Sequence, residues 1–151
     1  MSEENQVADN TPVFNIEKIY LKNASLEVPH APEIFLTQEA PDVEMKIGVG
    51  GKQIEEGFYD VSITATVTAT LEDKRVLFLA EVVQSGIFRM QNLPAEDIDP
   101  VINITCPNIL FPYVREAITD LTVRAGFPPV YMAPINFEAM YQQQAAQSGN
   151  A

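Results

Sequence analysis

Few side chains in this chain could do covalent chemistry, and their types and spacing argue against it. Cys106 is the only cysteine and His30 the only histidine. A thiol nucleophile needs a base to ionise it, and His30 sits in VPHAP, a turn-like setting far away in sequence. One cysteine and one histidine cannot supply the usual four ligands of a zinc site, and a lone thiol cannot close an internal disulfide. GVGG at 48–51 has glycines but no Lys-Ser/Thr after it and no helical pattern behind it, so it is not a phosphate loop. Carboxylates are plentiful, yet Glu55-Glu56 and Glu96-Asp97 read as ordinary surface charge. These features point to a protein that binds rather than catalyses, with no cofactor.

The most informative stretch is Cys106–Tyr141, CPNILFPYVREAITDLTVRAGFPPVYMAPINFEAMY. It reads as one amphipathic helix, a proline-rich loop loaded with large apolar residues, and the start of a second helix. That is more apolar surface than one small core requires, and the excess suggests partners.

The chain has 151 residues, 46% of them hydrophobic, which suits a single folded domain. No run approaches the ~18 apolar residues of a membrane-spanning helix. The first residues, MSEENQVADNTP, are polar and acidic and lack the basic and apolar regions of a secretion signal, so a cytoplasmic location is expected. Nine basic and 21 acidic residues give a formal net charge of −12. That balance disfavours nucleic acid and anionic membranes. It suits solubility, basic partners, or both.

The elements follow from periodicity. Residues 1–11 are expected to be a disordered acidic tail, 12–144 one domain and 145–151 a second disordered tail. In the first strand Phe14 and Ile16 alternate on even positions, then Ile19 and Leu21 on odd ones, a slip that predicts a β-bulge near Glu17–Lys18. Pro29, Pro32 and Pro41 mark a crossover loop in which Ile34, Phe35 and Leu36 should pack on something. The second strand puts Val43, Met45, Ile47 and Val49 on one face. The third puts Tyr59 through Leu71 (odd positions) on one face and a Ser/Thr row on the other. Glu72-Asp73-Lys74 is a hairpin turn. The fourth strand, Val76–Met90, is apolar on both faces: Phe78, Ala80 and Val82 on one, Leu77, Leu79 and Val83 on the other. Such a strand is expected to be covered twice, by a second subunit or by local helices. Residues 91–105 read as a loop with a solvated acidic cluster. The main helix starts near Asn108 or Pro112 and ends at Ala125, with Tyr113, Ala117, Leu121 and Ala125 as its stripe, widened by Val114 and Ile118. Gly126 should cap it, and Asn136 should start a short helix ending near Gln144.

Several segments in order, SGIF at 85–88, CPNILFPY at 106–113, RAGFP at 124–128 and APINF at 133–137, with VTATL and LEVPHAP, resemble the SecB family of bacterial export chaperones over roughly 14–141. The resemblance implies an α+β fold: a four-stranded antiparallel sheet with a long helix packed beside it and a short last helix, assembled as a homotetramer, a dimer of dimers. It implies an ATP-independent holdase that binds unfolded precursor polypeptides in the cytoplasm, keeps them from folding and delivers them to SecA, the translocase motor. By matching positions, the client groove should comprise Phe35, Val43, Met45, Ile47, Val130, Met132, Phe137 and Tyr141. The SecA contact should comprise Asn23, Glu27, Leu79 and Glu81, with Asn23 standing where the family commonly has aspartate. The zinc of that contact belongs to SecA's tail, not to this chain. A competing reading from the residues is a small α+β carrier with an apolar ligand enclosed beneath the Phe127–Pro134 loop; an open groove would favour the chaperone.

Overall fold

The strict alternation of the third strand sets the frame. In the computed structural model, which describes residues 10–149, Val61, Ile63, Ala65, Val67 and Ala69 are fully buried while the intervening Ser62, Thr64, Thr66, Thr68 and Thr70 are half-buried. This strand, β3 (Phe58–Thr70), lies inside a four-stranded antiparallel sheet with β1 (Val13–Glu27), β2 (Asp42–Glu55) and β4 (Val76–Gln91), in the order β1-β4-β3-β2. β1 and β2 are therefore the two edges, and residues 28–41 cross from one edge to the other, with a 3-10 turn at Glu33–Leu36.

The expected bulge is present: Ile16 pairs with Phe88 and Lys18 with Ile87, leaving Glu17 unpaired. A second irregularity at Lys22 was not evident in the sequence, because Leu21 and Asn23 on either side give no apolar slip. The β3–β4 turn closes as expected, with Lys74 N–H donating to Leu71 O and Lys74 at φ 75°. Leu77, assigned from alternation to the face opposite Phe78, is instead the extra residue between the Ala69–Phe78 and Thr70–Val76 pairs. The bulge turns it inward, and it is buried.

After β4 the chain is helical sooner than the sequence suggests. Residues 95–105, read as loop, form α1 (Ala95–Pro100) and a π-helical turn (Val101–Thr105) running into α2 (Cys106–Arg124). Pro94 stands at the N-cap of α1 and Pro100 is its last residue. Pro107 stands in the first turn of α2, where its missing N–H is tolerated, directly after the widened turn in which Cys106 N–H reaches Val101 O. Pro112, expected in the first turn, lies inside α2.

The helix phase also differs. The buried line of α2 is Leu110, Val114, Ile118 and Thr122, with Phe111, and the Tyr113–Ala117–Leu121 stripe is its flank; Tyr113 is 48% exposed. Tyr113 carries a hydroxyl, Leu110 does not, and the larger dry surface wins the core. α2 ends in a Schellman motif: Gly126 at φ 95° donates to Val123 O and Phe127 N–H donates to Thr122 O at 3.1 Å. α3 (Phe137–Gly149) begins as expected, with Ala139 N–H donating to Asn136 Oδ1 at 2.9 Å, but it continues past Gln144 to Gly149, so the polar run expected to be a disordered tail is helical that far. The acidic N-terminal tail lies almost wholly outside the described residues.

α2 rests on β4 where Gly86 removes a side chain. A Cβ there would stand 2.9 Å from Phe88 Cε2 and 3.2 Å from Leu110 Cδ2. Both neighbours are fully buried and have nowhere to move. Gly86→Ala is therefore expected to cost about 1–3 kcal/mol, read as a lower urea midpoint; an unchanged midpoint would show that the helix does not bear on the sheet here.

Candidate binding groove and the opposite sheet face

The groove begins with the turn that ends α2. The Schellman geometry reverses the chain so that Phe127 lands over the sheet, its ring 5.1 Å from Phe35 and 5.2 Å from Phe78 between centroids. The following loop is pinned to the helix at one residue. Thr119 Oγ1 donates to Val130 O (2.8 Å), and Val130 N–H donates to Thr122 Oγ1 (3.2 Å). Pro128 and Pro129, which cannot donate, span the gap between the motif and this clamp.

Opposite this wall stands the crossover loop. Ile34 is buried and anchors it, Phe35 is 46% exposed, and Leu36, expected to pack, is 85% exposed among the described residues. The floor is Val43 and Phe78, which flank the fully buried Ala69 in one cross-strand row, with Leu77 beside them. Walls and floor enclose about 530 Å³, and the lining is apolar except for Thr37, Gln38 and Glu39.

Of the residues assigned to a client groove, Phe35, Val43 and Val130 line this one. Met45 and Ile47 continue along β2 on the same face as Val43; Val43 and Met45 are each 38% exposed and Ile47 is half-buried. Tyr141 lies elsewhere, in a small hollow with Val49, Asn103, Phe137, Met140 and Gln144, where its hydroxyl donates to Asp99 Oδ2 at 2.8 Å. That bond raises the tyrosine's pKa, since ionising the phenol would lose it. Asp99 is thus more than solvated charge. Met132 (4% exposed) and Phe137 (1%) do not face the groove: both are core residues here, Phe137 edge-on to Phe111 at 5.9 Å. Burying a full aromatic or thioether side chain outweighs leaving it in water. The sequence reading missed Leu77, Phe78 and Phe127 as lining, the first two because alternation made them ordinary strand residues.

The other set of assigned residues lies on the opposite face. Glu27 pairs with Leu79, Ser25 with Glu81 and Asn23 with Val83, so Asn23, Glu27, Leu79 and Glu81 share one patch of three neighbouring rows. Thr66 Oγ1 donates to Glu81 Oε2 at 3.2 Å. Leu79 is 36% exposed and Val83 half-buried, so the expected second cover over β4 is not supplied by this chain's helices.

Cys106 is fully buried at the start of α2, and burial pushes its thiol up to about 12. A neutral, enclosed thiol is not a nucleophile. His30 is exposed in the crossover, its carbonyl accepting from Ile34 N–H.

A sheet with one helix-covered face, an open apolar groove at one edge and a bare polar face behind it defines a binding protein of the α+β class. Comparison with known proteins names the class. The family model for preprotein translocase subunit SecB matches residues 7–148. The chain is 58% identical over 144 residues to the protein-export protein SecB of Neisseria meningitidis, covering 95% of each, and 52% identical over 151 residues to that of Chromobacterium violaceum, covering 100% of this chain and 98% of the relative. Its fold is similar to that of a SecB-like chaperone of Mycobacterium tuberculosis solved with a peptide from an antitoxin, with a TM-score of 0.62 at 21% identity over 81% of this chain and 90% of the other. The chain belongs to the SecB family of protein-export chaperones and is not an enzyme.

Proposed function

We propose that this chain is a holdase that keeps precursor polypeptides unfolded by binding their apolar segments in the groove between Phe35, Val43 and Phe127. The observation that carries this reading is the groove itself: apolar, about 530 Å³, and walled by side chains that stay half-exposed in a folded chain. Such surface on a stable domain marks a binding site. An unfolded client buries its side chains there at roughly 1.5–3 kcal/mol each, and repeated weak sites along one client add by avidity. The groove opens to solvent along β2, which suits a long polymer better than an enclosed lipid.

Purified protein should slow the refolding of a denatured precursor without added nucleotide. Val43→Asp with Met45→Asp should weaken client binding more than about tenfold, with unchanged far-UV circular dichroism. Full protection by the folded double variant would remove the groove from the mechanism.

The homotetramer is part of the same proposal. Its support is apolar surface that this chain leaves bare away from the groove: Ile16 (48%) and Leu21 (52%) at the β1 edge, and Tyr113 (48%), Val123 (51%) and Tyr131 (73%) around α2. Light scattering at micromolar concentration should give a mass near four chains; a stable monomer would exclude the assembly.

Delivery to SecA is assigned to the patch of Asn23, Glu27, Leu79 and Glu81. It lies on the face opposite the groove, which would let client and motor bind together. Glu27→Lys with Glu81→Lys should weaken SecA binding and spare client binding. Equal loss of both activities would mean that the two sites are not separate.

A further inference from the structure

Glu81 is the carboxylate of the reverse-face patch that stands on a central strand. Glu27 lies on the β1 edge and is exposed, whereas Glu81 is half-buried, with Ser25 beside it on β1 and Thr66 beside it on β3. Thr66 Oγ1 donates to Glu81 Oε2 at 3.2 Å, and no ion pair reaches that carboxylate among the described residues. One oxygen is thus held by a neutral donor, and the negative charge is kept. The same row continues to Lys46 on β2, one strand beyond Thr66 and on the same face. Lys46 lies 3.9 Å from Glu44 Oε1 and forms no pair with Glu81. Thr66 stands between the two.

We propose that Thr66 is a positioning residue of the SecA contact: its hydroxyl holds the Glu81 carboxylate over β4, open to a cationic side chain of the partner and away from Lys46. The inference rests on this patch being the SecA site. Thr66 itself touches nothing in the partner. A long carboxylate side chain loses rotamer freedom when a ligand fixes it, and a hydrogen bond already made has removed part of that cost. An ammonium in the same place would hold Glu81 equally well but would spend its charge inside the chain. The contact is partly solvated, so the effect is modest.

The test is a cycle of variants read as SecA affinity, with binding of an unfolded client as the control for the folded state. Thr66→Val keeps the shape of the side chain and removes the donor. It should weaken SecA binding about two- to fivefold and leave client binding unchanged. Thr66→Ser retains a hydroxyl and should bind SecA within about twofold of the unmodified protein. Glu81→Ala removes the carboxylate, and in that background Thr66→Val should have no further effect. Equal loss in both backgrounds, or no loss in the unmodified one, would overturn the proposal, as would a Thr66→Val that lost client binding as well. A different failure has its own signature: if Glu81→Ala alone binds SecA as tightly as the unmodified protein, the patch is not the SecA site and the positioning role falls with it.

Discussion

One helix cannot cover four strands. Strands spaced about 4.8 Å apart make a sheet wider than a helix, whose diameter with side chains is about 10 Å. α2 therefore buries the two central strands and leaves the edges short of cover. The exposure follows this geometry: Val61, Ile63, Ala65 and Val67 of β3 and Ala80 and Val82 of β4 are fully buried, while Val43 and Met45 of β2 and Ile16 and Leu21 of β1 are one-third to one-half exposed on the same side of the sheet. The apolar surface available for binding is the remainder of that mismatch. The crossover loop and the turn after α2 convert the β2 remainder into a groove, and the β1 remainder stays a bare edge.

The reverse face obeys a different rule. From Ser62 to Thr70 its β3 residues are Ser and Thr, and two polar contacts lie within the sheet: Tyr20 OH donates to Asp60 Oδ1 at 2.7 Å, and Ser62 and Ser85 hydroxyls lie 2.6 Å apart, whereas the buried Arg89 Nε has no partner among the described residues. Asp60 is 8% exposed, so Tyr20 is what makes its carboxylate tolerable there, and the same bond raises the phenol's pKa. Pairing polar groups across neighbouring strands satisfies Asp60, Ser62 and Ser85 without a covering layer. One sheet thereby presents an apolar side beside the helix and a face lined largely by Ser and Thr behind it.

Strand pattern was legible because a period of two is rigid: the Glu17 bulge, the β3 alternation and the turn at Glu72–Lys74 each leave a mark in residue order. Capping chemistry at Gly126 and Asn136 was legible for the same local reason. The failures all involve competition between elements. Residues 95–105 read as loop because their acidic cluster resembles a solvated segment, yet they are helical up to the start of α2. The phase of α2 was misread because Tyr113 and Leu110 are both apolar in sequence, and only the sheet decides between them. Met132 and Phe137 are buried in this chain, Phe137 against Phe111 of α2, while Val43 and Met45 stay 38% exposed.

The two walls of the groove differ in how firmly they are held. The Phe127–Val130 wall is fixed by the Schellman bonds and by two hydroxyl contacts to Val130. The crossover wall is held by buried Ile34, by the Glu39 contact and by the stack of Phe35 on Phe127. An aromatic pair of this kind contributes about 0.5–1.5 kcal/mol beyond area burial, and Phe35 is already half in water. The crossover wall is therefore held less firmly than the Phe127–Val130 wall.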